Sequence, residues 1–474
     1  MKITIFIDLY LVIKFLLAFA FYIALLLNKK ELKKKEHKII TNKSKLSIKE
    51  NITIYGKKRV IKDVLFINGC NATIFPQPYR YRVLYQMEQL YANFLESDVY
   101  FYLDLKFQII KNYRIIIFFR CPLTREIEKA IFLAKALNKK ILFDIDDFMI
   151  DIIDIDKNFY FNNISQNEKK IYNKGIKHME KIVKFCDGVI TTTESLAKEL
   201  INYTTNIFIN HNVAGEELLK LSEKALINYK QKKKKHVLIN IGYFGNSLNH
   251  YSNSNIDLYM IKPALQKILR EFKNVKLLLF GEYQIPKFLK EFTSRIVIKS
   301  SPNWDKLPEI ISNIDINIKP IENNIFNFGT TEINWVEASL VKVPSITSNY
   351  GEFNRSVQNN KTGLLCSDTN DWYISLKTLI KNENLRKILG ENAYKYCKKK
   401  YNTLYTGMKF ANYINSVASK HIGFFIPSLR ICGGTYVILK HASFLKEVGY
   451  DVDLIVPEVN IELFEFQGYK FSYI

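Results

Sequence analysis

The chain has no paired-cysteine motif and no metal-ligand spacing. Its six cysteines are scattered without a CxxC pair, and its seven histidines form no HExxH motif. Structural zinc sites are built from such closely spaced ligands, so we predict no metal site. Isolated thiols also fit a reduced, cytosolic compartment better than an oxidising one.

A small-residue cleavage site is also missing after the apolar N-terminus, which argues against a removable signal peptide. Residues 3–27 are apolar except for Asp8 and Lys14, and about 20 apolar residues suffice to span a bilayer as a helix. We therefore predict a membrane anchor helix over residues 1–28. A helix lying in the membrane interface is the alternative, because two charges are costly at mid-bilayer.

Lysines follow this apolar segment closely. Nine lysines and two glutamates lie between Lys29 and Lys49, and a cationic flank of this kind remains on the cytoplasmic side of a membrane. We predict a basic linker over residues 29–60 and a location at the cytoplasmic face of the plasma membrane. The formal charge of +23 indicates an acidic partner, but its lysines do not alternate with aromatic residues on one face, so nucleic acid is not predicted.

Short apolar runs alternate with amphipathic stretches along most of the chain, which is the pattern of α/β units with a parallel sheet. A lysine run at 231–236 separates two such series. We predict two Rossmann-like domains, at residues 61–225 and 236–400, with a ligand cleft at the carboxyl ends of their strands. The predicted strands are 64–69, 114–120, 140–145, 188–193 and 206–211 in the first domain and 236–245, 275–281, 295–300, 316–320 and 343–348 in the second.

Carboxylates cluster directly after the predicted strand 140–145, in the run FDIDD. Asp144, Asp146 and Asp147 repel one another near neutral pH, so they need a metal ion, a basic partner, a shared proton or solvent. In the second domain, Gly245, Asn246 and Ser247 follow a strand. Their backbone amides could hold a phosphate, or the segment could be an ordinary strand-to-helix turn.

Several segments of the second domain resemble a known family. WVEASLVKVPSITSNYGEF (335–353) and NNKTGLLC (359–366) are similar to motifs of GT-B glycosyltransferases of family 4, also called group 1. IFNFGTTEINWVE (325–337) is similar to a run in a subgroup that acts in bacterial surface polysaccharide synthesis, such as lipopolysaccharide or capsule. The resemblance covers roughly residues 60–418.

This resemblance implies a GT-B fold with two facing Rossmann-like domains and a crossover helix at 401–419. It implies a retaining, metal-independent hexosyltransferase that needs no cofactor. Such an enzyme would move a sugar from a nucleotide-diphosphate sugar to a hydroxyl of a cell-surface glycan or lipid-linked precursor. Residues 421–474 resemble the start of a second, tandem transferase.

The resemblance also implies roles for individual residues. Asp146 and Asp147 would be catalytic, and Arg80, Arg82 and Asp144 would bind the acceptor. The expected donor-binding residues are Gly245, Asn246, Ser247, His250, Asn327, Thr330, Thr331 and Glu337.

Three positions depart from the family pattern. Gly329 stands where the E-x7-E pair has its first glutamate, and Thr330 and Asn334 stand where the subgroup has lysines that face the donor diphosphate. These differences leave a non-catalytic GT-B-like scaffold, or partner-binding subunit of a glycan assembly system, as the main alternative. A nucleotide-sugar epimerase and a GT-A transferase with a metal ion on the aspartates are the others.

Overall fold

The computed structural model describes residues 62–73, 76–147, 174, 177–231, 238–245, 256–281, 285–323, 327, 329–418, 421–426, 433–447, 450–455, 463–466 and 469–473. The predicted anchor helix and basic linker lie outside these residues, as do Asn246, Ser247 and His250. Within the described ranges, no helix is both long and apolar enough to cross a membrane.

The first sheet contains six parallel strands, in the order β2-β1-β3-β4-β5-β6. Its strands are β1 (Lys62–Asn68), β2 (Ser97–Phe101), β3 (Tyr113–Phe119), β4 (Lys140–Ile145), β5 (Gly188–Thr191) and β6 (Ile207–Ile209). Strand β3 reads YRIIIFF, a nearly continuous apolar run, because both faces of a parallel sheet are buried. The strand order reverses between β1 and β3.

The second sheet also has six parallel strands, in the order β12-β11-β10-β7-β8-β9. They are β7 (Ile239–Phe244), β8 (Val275–Phe280), β9 (Ile296–Lys299), β10 (Ile316–Lys319), β11 (Ser345–Ser348) and β12 (Leu364–Cys366). This is the doubly wound order of a Rossmann fold, with its reversal between β7 and β10. The predicted two-sheet α/β architecture is therefore confirmed, and the single sheet of a GT-A transferase is excluded.

Two strands of the first two sheets were missing from the sequence prediction. Strand β2 is an edge strand whose five residues are all half-buried, so it lacks an apolar run. Strand β12 lies at an edge of the second sheet and has only three residues, which is too short to give a clear apolar run.

The helices connect the strands and cover the sheets. They are α1 (Pro76–Tyr79, a π-helical turn Arg80–Leu84, and Tyr85–Tyr91), α2 (Arg125–Ala136), α3 (Glu194–Leu200), α4 (Glu216–Gln231), α5 (Ile256–Met260), α6 (Lys262–Glu271), α7 (Leu307–Ser312), α8 (Ile333–Leu340), α9 (Gly351–Ser356), α10 (Thr369–Lys381), α11 (Glu383–Lys400), α12 (Thr403–Val417) and α13 (Gly433–Glu447). A helical segment at 177–183 and 3-10 helices at Phe107–Asn112 and Lys287–Arg295 complete the set in the described residues.

Helix α12 packs on the first sheet, although it follows the second sheet in sequence. Phe410, Ala411 and Ile414 lie in one cluster with Val64 and Phe66 of β1. The Phe410 ring also stacks against Phe208 of β6, with centroids 5.9 Å apart. The chain thus returns to its first sheet after completing the second.

The connection between the two sheets also packs on the second one. The predicted domain boundary at residue 225 falls inside α4. Ala225 of this helix is buried among Leu307, Ile311 and Ala338, so its apolar face belongs to the core beside the second sheet.

A third sheet of four strands has the order β13-β14-β16-β15. Its strands are β13 (His421–Phe425), β14 (Asp451–Ile455), β15 (Leu463–Phe466) and β16 (Tyr469–Tyr473). Strands β13 and β14 are parallel, with α13 between them in sequence, which makes a βαβ unit. Ile426, Leu439, Ala442, Val452 and Leu454 form its small core.

The return of α12 to the first sheet gives a stability prediction. Phe410→Ala should lower the free energy of unfolding by about 3–5 kcal/mol, because the ring is fully buried. Leu404→Ala on the same helix is the matched control, since Leu404 is 71% exposed, and it should change stability by less than about 0.5 kcal/mol. Urea unfolding measures both, and equal losses would contradict the packing described here.

Candidate active site

Helix α1 lies between the two sheets. Its sequence, PQPYRYRVLYQMEQLY, begins with prolines that suit a first helical turn. Val83 and Leu90 are fully buried against the first sheet. The π-helical turn carries buried Arg80, Tyr81 and Arg82, and single π turns often mark functional positions in helices.

Arg82 and Asp144 form a fully buried ion pair that holds α1 to the first sheet. The Arg82 Nε and Nη2 atoms donate to the Asp144 carboxylate at 2.9–3.0 Å, and Gln86 donates to the same carboxylate. The Arg82 Nη1 atom donates to the Asn210 carbonyl at 2.6 Å and to Asn212 Oδ1 at 3.2 Å. Burial raises the pKa of Asp144 to about 6, even though Arg82 lowers it.

These contacts correct the predicted roles of both residues. Each of the three Arg82 nitrogens already donates to a protein acceptor, and Asp144 has no exposed surface. A bound acceptor would find no group to contact there. Arg82 and Asp144 therefore have a structural role. Of the partners considered for the aspartate cluster, Asp144 has a basic one, Arg82.

Arg80 and Tyr81 reach across to the second domain. The Tyr81 hydroxyl donates to Glu337 Oε1 at 2.5 Å, and Arg80 Nη2 lies 3.7 Å from the same oxygen. The rings of Tyr81 and Trp304 lie 4.7 and 4.8 Å from the Arg80 guanidinium carbon. Glu337 is on helix α8, so residues from both domains meet at one carboxylate.

The Arg80 guanidinium is buried and lacks hydrogen bonds of normal geometry to the described residues. Its side chain is 4% exposed, and its three nitrogens meet no such acceptor, although the Tyr81 hydroxyl and the Glu337 carboxylate lie close to it. A buried guanidinium normally uses its donors on protein or ligand acceptors. Burial raises the pKa of Glu337, although Arg80 and Tyr81 act in the opposite direction.

The other two aspartates lie at the carboxyl edge of the first sheet with Arg120. The Arg120 Nε atom donates to Asp146 Oδ1 at 2.5 Å, and Arg120 Nη2 lies 3.6 Å from Asp147 Oδ2. Arg120 has φ 43° and follows strand β3, next to the reversal point of the sheet. The Asp146 side chain is 9% exposed and that of Asp147 is 46% exposed, so Asp147 is the more accessible carboxylate.

The predicted donor-binding residues lie on the second domain. Gly245 follows β7, but its N–H donates to the Phe280 carbonyl at 3.2 Å, so that amide belongs to the sheet instead of facing a ligand. Thr331 accepts a hydrogen bond from Asn212 of the first domain at 3.4 Å. The side chain of Asn327 donates to the Glu322 carbonyl at 3.1 Å.

The loop before α8 faces the first domain. A β-carbon at Gly329 would lie 3.6 Å from Leu196 of helix α3, which is ordinary contact distance. The position where the family has its first glutamate is thus next to the first domain. The neighbouring Thr330 donates its N–H to the Asn327 carbonyl at 3.0 Å, and no contact of its side chain supports or opposes the predicted role.

A second charged cluster joins the domains beside α9. Ligand atoms of His211, Glu332 and Glu352 lie within 4.8 Å of one another, as metal ligands would. However, Arg355 donates to Glu352 at 2.7 Å and to Glu332 at 3.1 Å, and it faces His211 Nδ1 at 3.3 Å. The guanidinium therefore takes the position that a cation would need, and Glu352 also accepts the N–H of Glu194 from the first domain.

Sequence reasoning missed Tyr81, Arg120 and Arg355. Tyr81 lies between two arginines that were selected for their charge, and Arg120 lies at the end of a predicted strand. Both positions could have been found by asking which polar residues flank strand ends and helix starts.

Two six-stranded Rossmann-like sheets and a helix that returns to the first sheet define a GT-B fold, in which one carboxylate is contacted from both domains. Residues 257–396 match the family model described as "Glycosyl transferases group 1". The matched residues contain most of the second sheet and the helix that carries Glu337.

Solved structures with a similar arrangement include TarM, whose organism is given as S. aureus, with 18% identity and a TM-score of 0.44 over 64% of this chain. This chain spans only 55% of TarM. HepE from Anabaena in complex with UDP is 11% identical over 75% of this chain and 100% of its own, with a TM-score of 0.49. WaaG, a glycosyltransferase involved in lipopolysaccharide biosynthesis, is 16% identical over 74% of this chain and 99% of its own, with a TM-score of 0.47. A search of curated protein sequences gave no significant match.

The buried ion pair gives a testable prediction. Arg82→Met leaves Asp144 buried without its counter-charge and should lower the free energy of unfolding by about 3–5 kcal/mol. Arg114→Met is the matched control, because its ion pair with Asp63 at 3.1 Å is about one-third exposed and should contribute less than about 1 kcal/mol. Chemical denaturation compares them, and a small effect at Arg82 would contradict a structural role.

The cluster beside α9 predicts a pH dependence. Burial lowers the pKa of His211 from 6.5 to about 4; Arg355 also lowers it, while Glu352 and Glu194 act in the opposite direction. Between these values the unfolded chain binds a proton that the folded chain does not, so stability should fall as the pH falls from 6.5 to 4.

The His211 contribution to that loss should be roughly 2–3 kcal/mol. His211→Gln should remove this part of the slope and leave the rest, and thermal unfolding at several pH values measures it. An unchanged pH profile in the variant would contradict the assignment to His211.

Proposed function

We propose that the protein transfers a sugar from a nucleotide-diphosphate sugar to a hydroxyl of a cell-surface glycan or lipid-linked precursor. One observation carries the proposal: Arg80 and Tyr81 of the first domain and Glu337 of the second meet at a single buried point. A transferase that works between two domains needs groups from both sides at the reacting bond.

The donor side is the second domain. The Glu337 carboxylate would accept hydrogen bonds from ribose or sugar hydroxyls, which suit an ionised acceptor. The Tyr81 hydroxyl makes such a contact with Glu337, and a donor hydroxyl would replace it. Burial raises the pKa of Glu337, whereas hydrogen bonds donated by a sugar or ribose hydroxyl would favour its charged form.

The acceptor side is the first domain. Arg120 holds Asp146 at 2.5 Å and leaves Asp147 more exposed. We therefore expect Asp147 to orient the acceptor hydroxyl and to take its proton if the enzyme inverts the anomeric centre. The family resemblance favours retention, in which case Asp147 orients the hydroxyl and Asp146 positions Arg120.

The surroundings of Arg80 favour an acceptor that carries an anionic group. Its three nitrogens make no hydrogen bond of normal geometry with the described residues, and guanidinium binds phosphate oxygens in a bidentate manner. A phosphate of a lipid-linked precursor would use these donors. It would enter between Trp304 of the second domain and the π-helical turn of α1.

A membrane location and a role for the third sheet are part of the same proposal. The apolar residues 1–28 and the lysines after them support anchoring at the cytoplasmic face of the membrane, where a lipid-linked acceptor is available. In the proposal, the βαβ unit of the third sheet would begin a second, tandem transferase domain. Both features are consistent with synthesis of a surface polysaccharide.

Calorimetry with UDP-, GDP-, dTDP- and CMP-sugars measures which donor the full chain binds. Sugar transfer from that donor to a lipid-linked acceptor is then measured with the same chain. At least one donor should bind, and Glu337→Gln and Arg80→Met should each reduce transfer by about 100-fold or more. Asp147→Asn should reduce the rate without weakening donor binding.

Two variants serve as controls. Arg270 is 61% exposed on the second domain, and Lys387 is 61% exposed on α11, so Arg270→Met and Lys387→Met should retain full activity. Binding of no donor by the wild-type chain would support the scaffold alternative, and full activity of Glu337→Gln and Asp147→Asn would refute these site assignments.

A further inference from the structure

The second sheet changes direction at the boundary between strands β7 and β10. In doubly wound folds, ligands bind at the carboxyl ends of the strands where the order reverses. Strand β7 ends at Phe244, just before Gly245, and β10 ends at Lys319. Ile318 pairs directly with Tyr243, so Lys319 lies at the crevice itself.

Lys319 is buried at this edge. It is 3% exposed, and its ammonium makes no hydrogen bond and no ion pair with any residue that the structure describes. Its Nζ atom lies 5.8 Å from the centre of the Tyr243 ring. Burial lowers the pKa of Lys319, while Asp257 of helix α5 raises it without being close enough for an ion pair.

A lysine in such surroundings carries a desolvation cost. Removing an ammonium from water costs free energy that is recovered only through close partners. A methionine or leucine would fill the same volume without that cost. Buried charges that lack full compensation are found mainly at functional sites.

The proposed donor site lacks cations at the positions where the family subgroup has them. Thr330 and Asn334 occupy those positions, and the Asn334 side chain accepts a hydrogen bond from Asn317 at 2.9 Å. Asn317 lies two residues before Lys319 on the same strand, a distance of about 7 Å. Lys319 is therefore two residues along β10 from Asn317, whose side chain contacts the position on helix α8 where the family subgroup has a lysine.

We propose that Lys319 binds the diphosphate of the nucleotide sugar, in place of the lysines missing from the loop and helix α8. This proposal rests on the proposed function. In the reaction, the bond between the anomeric carbon and the diphosphate oxygen breaks, and its electron pair remains on the diphosphate. The acceptor oxygen bonds to the anomeric carbon, and its proton passes to Asp147 if the anomeric centre is inverted or to the departing diphosphate oxygen if it is retained, while the Lys319 ammonium stabilises the added negative charge on the leaving group.

The test compares nucleoside diphosphates with monophosphates. Binding of UDP, GDP and dTDP, each beside its monophosphate, is measured by calorimetry for the wild-type chain, Lys319→Met and Lys319→Arg. Lys319→Met should lower the affinity for the diphosphate that binds the wild-type chain by about tenfold or more. It should lower the affinity for the corresponding monophosphate by less than about threefold. Lys319→Arg should retain most of the diphosphate affinity, because it retains the charge.

A matched control and a second readout separate binding from folding. Lys299 ends strand β9 of the same sheet and is exposed, so Lys299→Met should leave both affinities unchanged. Without ligand, Lys319→Met should unfold at the same temperature as wild type or at a higher one, because an uncompensated buried charge has been removed.

Three results would overturn parts of the account in distinguishable ways. Equal losses of diphosphate and monophosphate affinity, or no loss, would refute a diphosphate contact. A lower unfolding temperature of Lys319→Met, restored in Lys319→Met with Asp257→Asn, would make the lysine a structural counter-charge. Binding of no nucleotide by the wild-type chain would refute the proposed function, and this inference with it.

Discussion

The ion pair between Arg82 and Asp144 is the contact on which the arrangement of the site depends. It fixes the π-helical turn of α1 against the end of strand β4, with every Arg82 donor in use. Arg80 and Tyr81 lie on the same turn, so their direction toward Glu337 follows from it. A buried pair of this kind contributes little net stability but strongly penalises the loss of one partner, which suits a contact that fixes geometry.

The same helix connects the two domains through polar side chains. Asn212 accepts from Arg82 and donates to Thr331 of the second domain, and the cluster of His211, Glu352 and Arg355 adds a charged contact nearby. Contacts of this polar kind can be exchanged for contacts with ligand or water at small net cost. These polar contacts between the two domains would therefore allow a donor hydroxyl to replace the Tyr81 hydroxyl at Glu337.

Much of the fold could be predicted from apolar periodicity, because parallel strands buried on both faces read as continuous runs such as YRIIIFF. The edge strands β2 and β12 could not, since their exposure and shortness remove that signal. The Arg82 role was equally hidden, because its partner lies 62 residues away and no local pattern relates the two. Lys319 is one of 69 basic residues, and only its burial distinguishes it.

Glu337 was found by its resemblance to a family motif, and its partners were not. A motif records which residue a ligand needs, whereas Tyr81 and Arg80 are brought to Glu337 by the packing of two domains. The aspartates show the same limit: their clustering was visible in the sequence, but burial and Arg120 divide them into a structural, a paired and an accessible member.

The central claim is that Arg80 and Glu337 act together at one site between the domains. A double-mutant cycle of Arg80→Met and Glu337→Gln, measured as kcat/KM for sugar transfer, tests it most directly. The double variant should lose no more than about tenfold beyond the less active single variant, because the effects of residues that act as a unit are not additive. Losses that multiply fully would contradict a shared site.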